Sequence, residues 1–262
     1  MRLKSFIVVF IGLSVVAPAR AQGRLERILA GRGKVVDLTH RLSAKIPYWP
    51  GGQYRPFEFT PIATLDRDGV FSGFFAMPEH MGTHVDAPNH FVAGRPSVDD
   101  LLPEQLICPA VVLDVRDRVR DNPDYQLTVE DIRRWERRHG RIPRRSLVLL
   151  YTGWGARWGT PKEYLNRDEQ GVMHFPGFSP DAARFLVTER EISGLGIDTL
   201  SVDYGPSKDF PVHHITHGAG KYHIENVANL DRLPARGAIV IVGVLPIEGG
   251  SGGPARVFAL LP

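Results

Sequence analysis

Three histidines and one aspartate stand within eleven residues, in the run His80-Met81-Gly82-Thr83-His84-Val85-Asp86-Ala87-Pro88-Asn89-His90. Imidazole and carboxylate are the donors that suit zinc, manganese or iron. The four residues share parity, and in an extended stretch alternate side chains project to one side. Spacing then separates their roles. At the rise of a strand, His84 and Asp86 lie about 6.6 Å apart, within reach of one ion. His80 would lie roughly 13 Å from His84 if the chain were extended, so sharing an ion requires compaction. Gly82 is placed to permit a turn there. His90 would lie about 20 Å from His84 on the same geometry. That distance suits an acid or base facing bound substrate better than a metal ligand. Pro88 marks the end of regular strand pairing. A set of structural histidines tying down a loop is the plainer alternative, and the density of donors weighs against it.

A second group follows at His213, His214, His217 and His223, with Glu225 beside Asn226. One or two of these are expected to complete the metal site. Spacing alone does not select which. His40, His139 and His174 stand isolated and read as structural. The single cysteine, Cys108, excludes an intrachain disulfide and a cysteine-rich metal site, and it reads as a small core residue. Gly249-Gly250-Ser251-Gly252-Gly253 formally fits G-x-S-x-G. A nucleophile elbow needs a helix after the serine and a histidine later in the chain. Pro254 and an apparent strand follow instead, with no later histidine or acid. The run reads as a flexible loop lining the mouth of the site.

The elements that must position these residues are mostly strands. Short apolar runs rich in β-branched residues occur at 35–38, 110–115, 146–151, 194–202, 238–244 and 256–260. Two helices announce themselves. Thr128 caps Val129 to Arg138, with Asp131 three residues after the cap. Ser179 caps a second, with Pro180 at its first position. The mixed order predicts one compact α/β domain with a sheet-rich core. Basic residues between Arg133 and Arg145 alternate with Ile132 and Trp135 in a pattern of a solvated helix face.

Residues 1–21 read as a secretory signal. Arg2 and Lys4 precede an apolar run through Val16, and Ala19-Arg20-Ala21 fits signal-peptidase cleavage. The apolar run is short for a membrane span, which needs about 20 residues. Residues 22–262 are then the working domain, periplasmic or secreted and free of the membrane. Arg2, Lys4 and Arg20 account for the whole formal charge of +3, so the remainder is neutral. No argument for a nucleic-acid partner survives.

The run His80-x-Gly82-Thr83-His84-x-Asp86-x-Pro88-x-His90 resembles the signature of the cyclase superfamily, which includes bacterial kynurenine formamidase and isatin hydrolase. Other segments agree: Val36-Asp37-Leu38-Thr39-His40, Pro47-Tyr48-Trp49-Pro50-Gly51, Gly196 to Asp203, Pro211-Val212-His213 and Ile224-Glu225-Asn226. The resemblance implies a swivelling β/β/α fold and a homodimer or higher homo-oligomer. It implies that His80, His84 and Asp86 bind a first metal, and that Asp86, His213 and Glu225 serve a second. It implies His90 as the catalytic acid/base and Trp49 as a contact to the substrate ring. Gly52 departs from the family's frequent aspartate after Trp-Pro-Gly. The expected activity is hydrolysis of a small amide, either an aryl formamide or a cyclic amide such as isatin, with one or two zinc or manganese ions. Lactone or ester hydrolysis, and metal binding without turnover, are the alternatives. A divalent ion makes water a better nucleophile and a carbonyl a better electrophile, so no covalent nucleophile is required.

Overall fold

The computed structural model describes residues 19–262. Residues 1–18, which hold most of the expected signal segment, lie outside the described residues. A first unit, ending at Gly33, contains the helix Ala19–Leu29, which runs across the expected cleavage position after Ala21. The second unit, Lys34–Pro262, holds every strand found among the described residues. No helix among the described residues is long and apolar enough to cross a membrane.

Among the described residues twelve strands occur in chain order: β1 Val35–Asp37, β2 Glu58–Ala63, β3 Ser72–Ala76, β4 His84–Asp86, β5 Ile107–Asp114, β6 Gln126–Leu127, β7 Leu147–Tyr151, β8 Gly177–Phe178, β9 Gly194–Ile197, β10 Tyr222–Glu225, β11 Arg236–Val244 and β12 Gly252–Leu260. Eight form one sheet in the order β1-β12-β11-β5-β7-β9-β10-β4, and β4 also pairs with β12. That last pairing closes seven strands into a barrel, with β1 added along the far part of β12. Pairing is parallel across β5, β7, β9 and β10 and antiparallel elsewhere in the sheet. The expected sheet-rich α/β core is therefore present.

Alternation along the strands divides the core in two. Leu147 and Leu149 of β7 join Val85, Ile224, Val240 and Val257 inside the barrel. Val148 and Leu150 face outward and pack with Trp154, Phe175, Phe178 and Leu186 under the helices. A strand buried on both faces reads as a continuous apolar run, which is why β7 was conspicuous in the sequence. The helix Val129–His139 begins at Thr128, whose side chain accepts from the Asp131 amide. The helix Pro180–Glu189 begins at Ser179, which accepts from Ala182. Both caps agree with the sequence reading. Arg133, Arg137 and Arg138 are exposed on the first of these helices, as expected of a solvated face.

β2 and β3 form a separate two-stranded hairpin that the strand patterns did not announce. Its apolar side chains face outward: Phe59, Ile62, Phe71, Phe74 and Phe75 are each at least half exposed.

Candidate metal centre

The turn at Gly82 is real. Its φ of +67° lies in the left-handed region that glycine enters without penalty. Asn226 secures it, donating from Nδ2 to the Gly82 carbonyl at 2.9 Å and accepting from Thr83 Oγ1 at 2.7 Å. The turn folds His80 back, so that its Nδ1 lies 2.6 Å from Asp86 Oδ1. β4 then carries His84 and Asp86 on one side and Val85 into the barrel. Regular pairing stops at Asp86, as Pro88 implied.

β10 supplies a matching pair. Its antiparallel register sets His223 opposite Asp86 and Glu225 opposite His84. Cross-strand partners share a face, so four polar side chains meet there while Ile224 joins Val85 in the core. The helix Pro211–Gly218 adds His213, whose Nε2 lies 3.4 Å from both Asp86 Oδ2 and Glu225 Oε1. Two donor groups result, His80–His84–Asp86 and Asp86–His213–His223–Glu225, each with ligand atoms within 4.8 Å of one another. They share Asp86. All five residues expected as ligands are thus assembled in one place.

His223 is the member that the sequence reading did not select. It is fully buried, and its Nδ1 faces Asp86 Oδ2 at 3.8 Å. A signal was available: His223-Ile224-Glu225 repeats the spacing of His84-Val85-Asp86. His217 is also buried, its ring stacked on His223 at 4.2 Å, and neither ring nitrogen finds a partner.

Neighbouring groups fix which nitrogen of each ring faces the centre. His84 Nδ1 donates to the Gly82 carbonyl at 2.9 Å, leaving Nε2 toward Asp86. His213 Nδ1 donates to Asp203 Oδ2 at 2.7 Å, leaving Nε2 inward. Thr216 Oγ1 donates to the Val212 carbonyl at 2.7 Å, so it accepts from His223 Nε2 at 2.5 Å and leaves Nδ1 inward. Such outer partners are what orient histidines as metal ligands.

The residues fit a divalent cation. His84 Nε2 and His223 Nδ1 are buried without a hydrogen-bond partner. Burial alone would lower the His84 pKa, but the charges of Asp86 and Glu225 raise it to about 9. His213 is likewise drawn well above its ordinary value against the effect of burial, through Asp203, Asp86 and Glu225. Glu225 is raised by burial and by the Asp86 charge. Two buried carboxylates therefore demand positive charge at a point that three oriented imidazoles face, which is the chemistry of a divalent-cation site.

The position of His90 corrects the sequence estimate. Pro88–His90 is a 3-10 turn, not extended chain, so His90 does not run about 20 Å away. It returns to stack on His80 at 3.8 Å between ring centroids. It belongs to neither donor group. Burial pushes its pKa down to about 3, only partly opposed by the Asp86 charge. The centre forms the floor of a cavity of about 410 Å³ lined also by Trp49, Tyr54, Phe91, Leu200 and Phe210. Trp49 therefore lies where a substrate contact was expected, 5.8 Å from Phe210. Gly52 lines the same cavity.

Ser251 corrects another expectation. It lies in the connection before β12 but is not among the residues that line the cavity. Its carbonyl accepts from the Ala87 amide at 2.8 Å, and β12 starts at the next residue. Cys108 is buried as expected, His40 stacks on Trp158, and His174 bonds Asp124.

Comparison with known proteins agrees with this architecture. The family model for putative cyclases matches residues 36–204. An isatin hydrolase from Roseibium aggregatum is 35% identical, covering 94% of this chain and 98% of that protein. A kynurenine formamidase from Geobacillus thermodenitrificans is 30% identical over 84% of this chain and 94% of its own. Among solved structures, isatin hydrolase A from Ralstonia solanacearum superposes with a TM-score of 0.88 at 38% identity, covering 94% of this chain and 99% of that one. An isatin hydrolase bound to the product analogue thioisatinate gives 0.87 at 33%, again covering 94% and 99%. With its signature residues gathered around one buried centre and the family match covering residues 36–204, this chain belongs to the cyclase family.

Proposed function

We propose that this protein is a metal-dependent hydrolase of small aromatic amides, with a cyclic amide such as isatin as the preferred class. One observation carries the reading: a buried His/Asp/Glu centre forms the floor of an aromatic-lined cavity. Its volume falls within the usual range of small-molecule sites. His80, His84, Asp86, His213, His223 and Glu225 would hold one or two divalent ions, zinc or manganese. Such an ion lowers the pKa of bound water and polarises the substrate carbonyl.

The chain's own residues supply the rest. Trp49, Phe91 and Phe210 offer flat apolar faces to an aromatic ring and exclude water around it. His90 is held against the His80 ring, and its low pKa keeps it neutral at neutral pH. Its imidazole takes a proton from the attacking water as the new C–O bond forms. The resulting imidazolium is a strong acid in this buried setting. It returns the proton to the nitrogen as the C–N bond breaks. No serine nucleophile enters.

The exposed apolar hairpin supports a homo-oligomer, because an isolated two-stranded sheet is marginal in water and a contiguous apolar patch marks a contact surface. The pattern of residues 1–21 supports export to the periplasm or beyond.

Steady-state hydrolysis of isatin, N-formylkynurenine and a simple aryl lactone tests the substrate class. The reading expects kcat/KM for isatin of at least about 10⁴ M⁻¹s⁻¹, the lower end for working enzymes, and lower values for the other two. A preference for the formamide or the lactone would reassign the substrate. Metal bound at full occupancy with no turnover of any of the three would leave a binding module.

A further inference from the structure

The glycine-flanked Ser251 has no part in the hydrolytic scheme, yet it is held firmly against the metal-binding strand. The Gly250 carbonyl accepts from the Val98 amide at 2.9 Å and from Asn89 Nδ2 at 3.3 Å. Gly252 pairs with Asp86 across β12 and β4. The Ser251 hydroxyl then lies 2.5 Å from Glu79 Oε2 and 2.9 Å from His80 Nε2, and the Ser251 amide donates to the same Glu79 oxygen at 3.2 Å.

With His80 Nδ1 given to a metal ion, the hydrogen accounting has one solution. An ionised carboxylate only accepts, and a hydroxyl has one proton to give. Ser251 therefore donates to Glu79 and accepts from His80 Nε2. His80 would then carry its proton on Nε2 and offer its Nδ1 lone pair to an ion beside Asp86, whose Oδ1 lies 2.6 Å from that nitrogen. This is the arrangement that Gly82, Asp203 and Thr216 impose on the other three histidines. The glycines have a reason as well. A Cβ on Gly252 would stand 2.6 Å from His80 Cε1 and 2.4 Å from the Val85 carbonyl. One on Gly250 would stand 2.9 Å from Glu79 Oε1. The Val85 carbonyl and the His80 ring lie so close to this backbone that only glycine fits after the serine.

We propose that Glu79 and Ser251 form a positioning relay that fixes His80 in its metal-binding tautomer. The inference rests on the metal centre proposed above. Outer partners of this kind are worth roughly 10- to 100-fold in metal affinity.

Metal affinity, measured by competition with a chromogenic chelator for zinc and for manganese, tests it without reference to activity. Ser251→Ala should bind 10- to 100-fold more weakly, and Glu79→Gln should weaken binding by a smaller factor. Because Glu79 acts through the hydroxyl, the double variant should bind within about twofold of Ser251→Ala, whereas independent contributions multiply. The melting temperature of the metal-free protein should stay near that of the unmodified chain. If Ser251→Ala fails to fold, Glu79→Gln, which preserves volume, carries the test alone. Affinity within about threefold in the folded single variants, multiplying losses in the double variant, or covalent labelling of Ser251 by a fluorophosphonate would each overturn the relay. His84→Ala separates the two claims. If it loses metal while Ser251→Ala does not, only the relay is wrong; if it too retains metal, the centre itself is wrong.

Discussion

Replacing His223 with alanine tests the donor that the sequence reading left unselected. Its Nδ1 faces Asp86 Oδ2 at 3.8 Å, and its Nε2 is held by Thr216. An ion held by this group would have four donors, from Asp86, His213, His223 and Glu225. Structural zinc sites with four protein ligands bind with about 10–16 kcal/mol, or roughly 3 kcal/mol per ligand. At 1.4 kcal/mol per decade, loss of one ligand weakens binding by about two orders of magnitude. The same substitution removes a ring stacked on His217 and leaves a cavity, so the metal-free protein should lose roughly 2–3 kcal/mol of stability. The two effects are separable. Chelator competition reads the first, and urea unfolding of the metal-free protein reads the second. Weakened folding with metal affinity within about threefold of the parent would make His223 a packing residue and refute its place among the ligands.

Three further outcomes are expected. His90→Asn should retain its metal while turnover falls by about a hundredfold or more, the usual contribution of a positioned proton carrier; loss of metal in step with activity would make His90 a ligand. Glu136→Gln should cost about 3 kcal/mol at pH 7, since it breaks a pair in which Arg190 Nε lies 2.7 Å from Oε1 and both side chains are nearly buried. Burial raises the Glu136 pKa, but Arg190 and the Ile142 amide reverse this and hold it below its ordinary value. The stabilisation is therefore complete above the unfolded pKa of about 4.3 and fades as pH falls through the folded value, so the gap between parent and variant should narrow by pH 3. A gap unchanged between pH 7 and pH 3 would contradict that sign. Phe71→Asp combined with Phe74→Asp should convert an oligomer to monomer in sedimentation velocity; an unchanged sedimentation coefficient would remove the hairpin from the interface.

How far the sequence could be read depended on the range of the determining contacts. β5, β7 and β9 were visible because burial on both faces leaves continuous apolar runs, and β11 because its run is rich in β-branched residues. The helices at Thr128 and Ser179 were visible because their caps are local chemistry. Gly82 could be assigned a turn from its lack of a side chain alone. His90 was misplaced in space because alternation was carried through Pro88 into a segment that turns. His223 and Ser251 depend on pairing partners far away in the chain, at Asp86 in one case and at Glu79 and His80 in the other. The β2–β3 hairpin escaped notice because its apolar residues lack the buried, two-faced pattern that marks a core strand.

The most direct measurement is isatin hydrolysis by protein stripped with chelator, dialysed and then titrated with zinc or manganese, with bound metal quantified at each point. Activity should be absent from the stripped protein, rise in proportion to bound metal, and be lost together with metal in His84→Ala. Turnover that persists in fully stripped protein, or a His84→Ala variant that keeps both metal and activity, would contradict the assignment of a metal-dependent hydrolase.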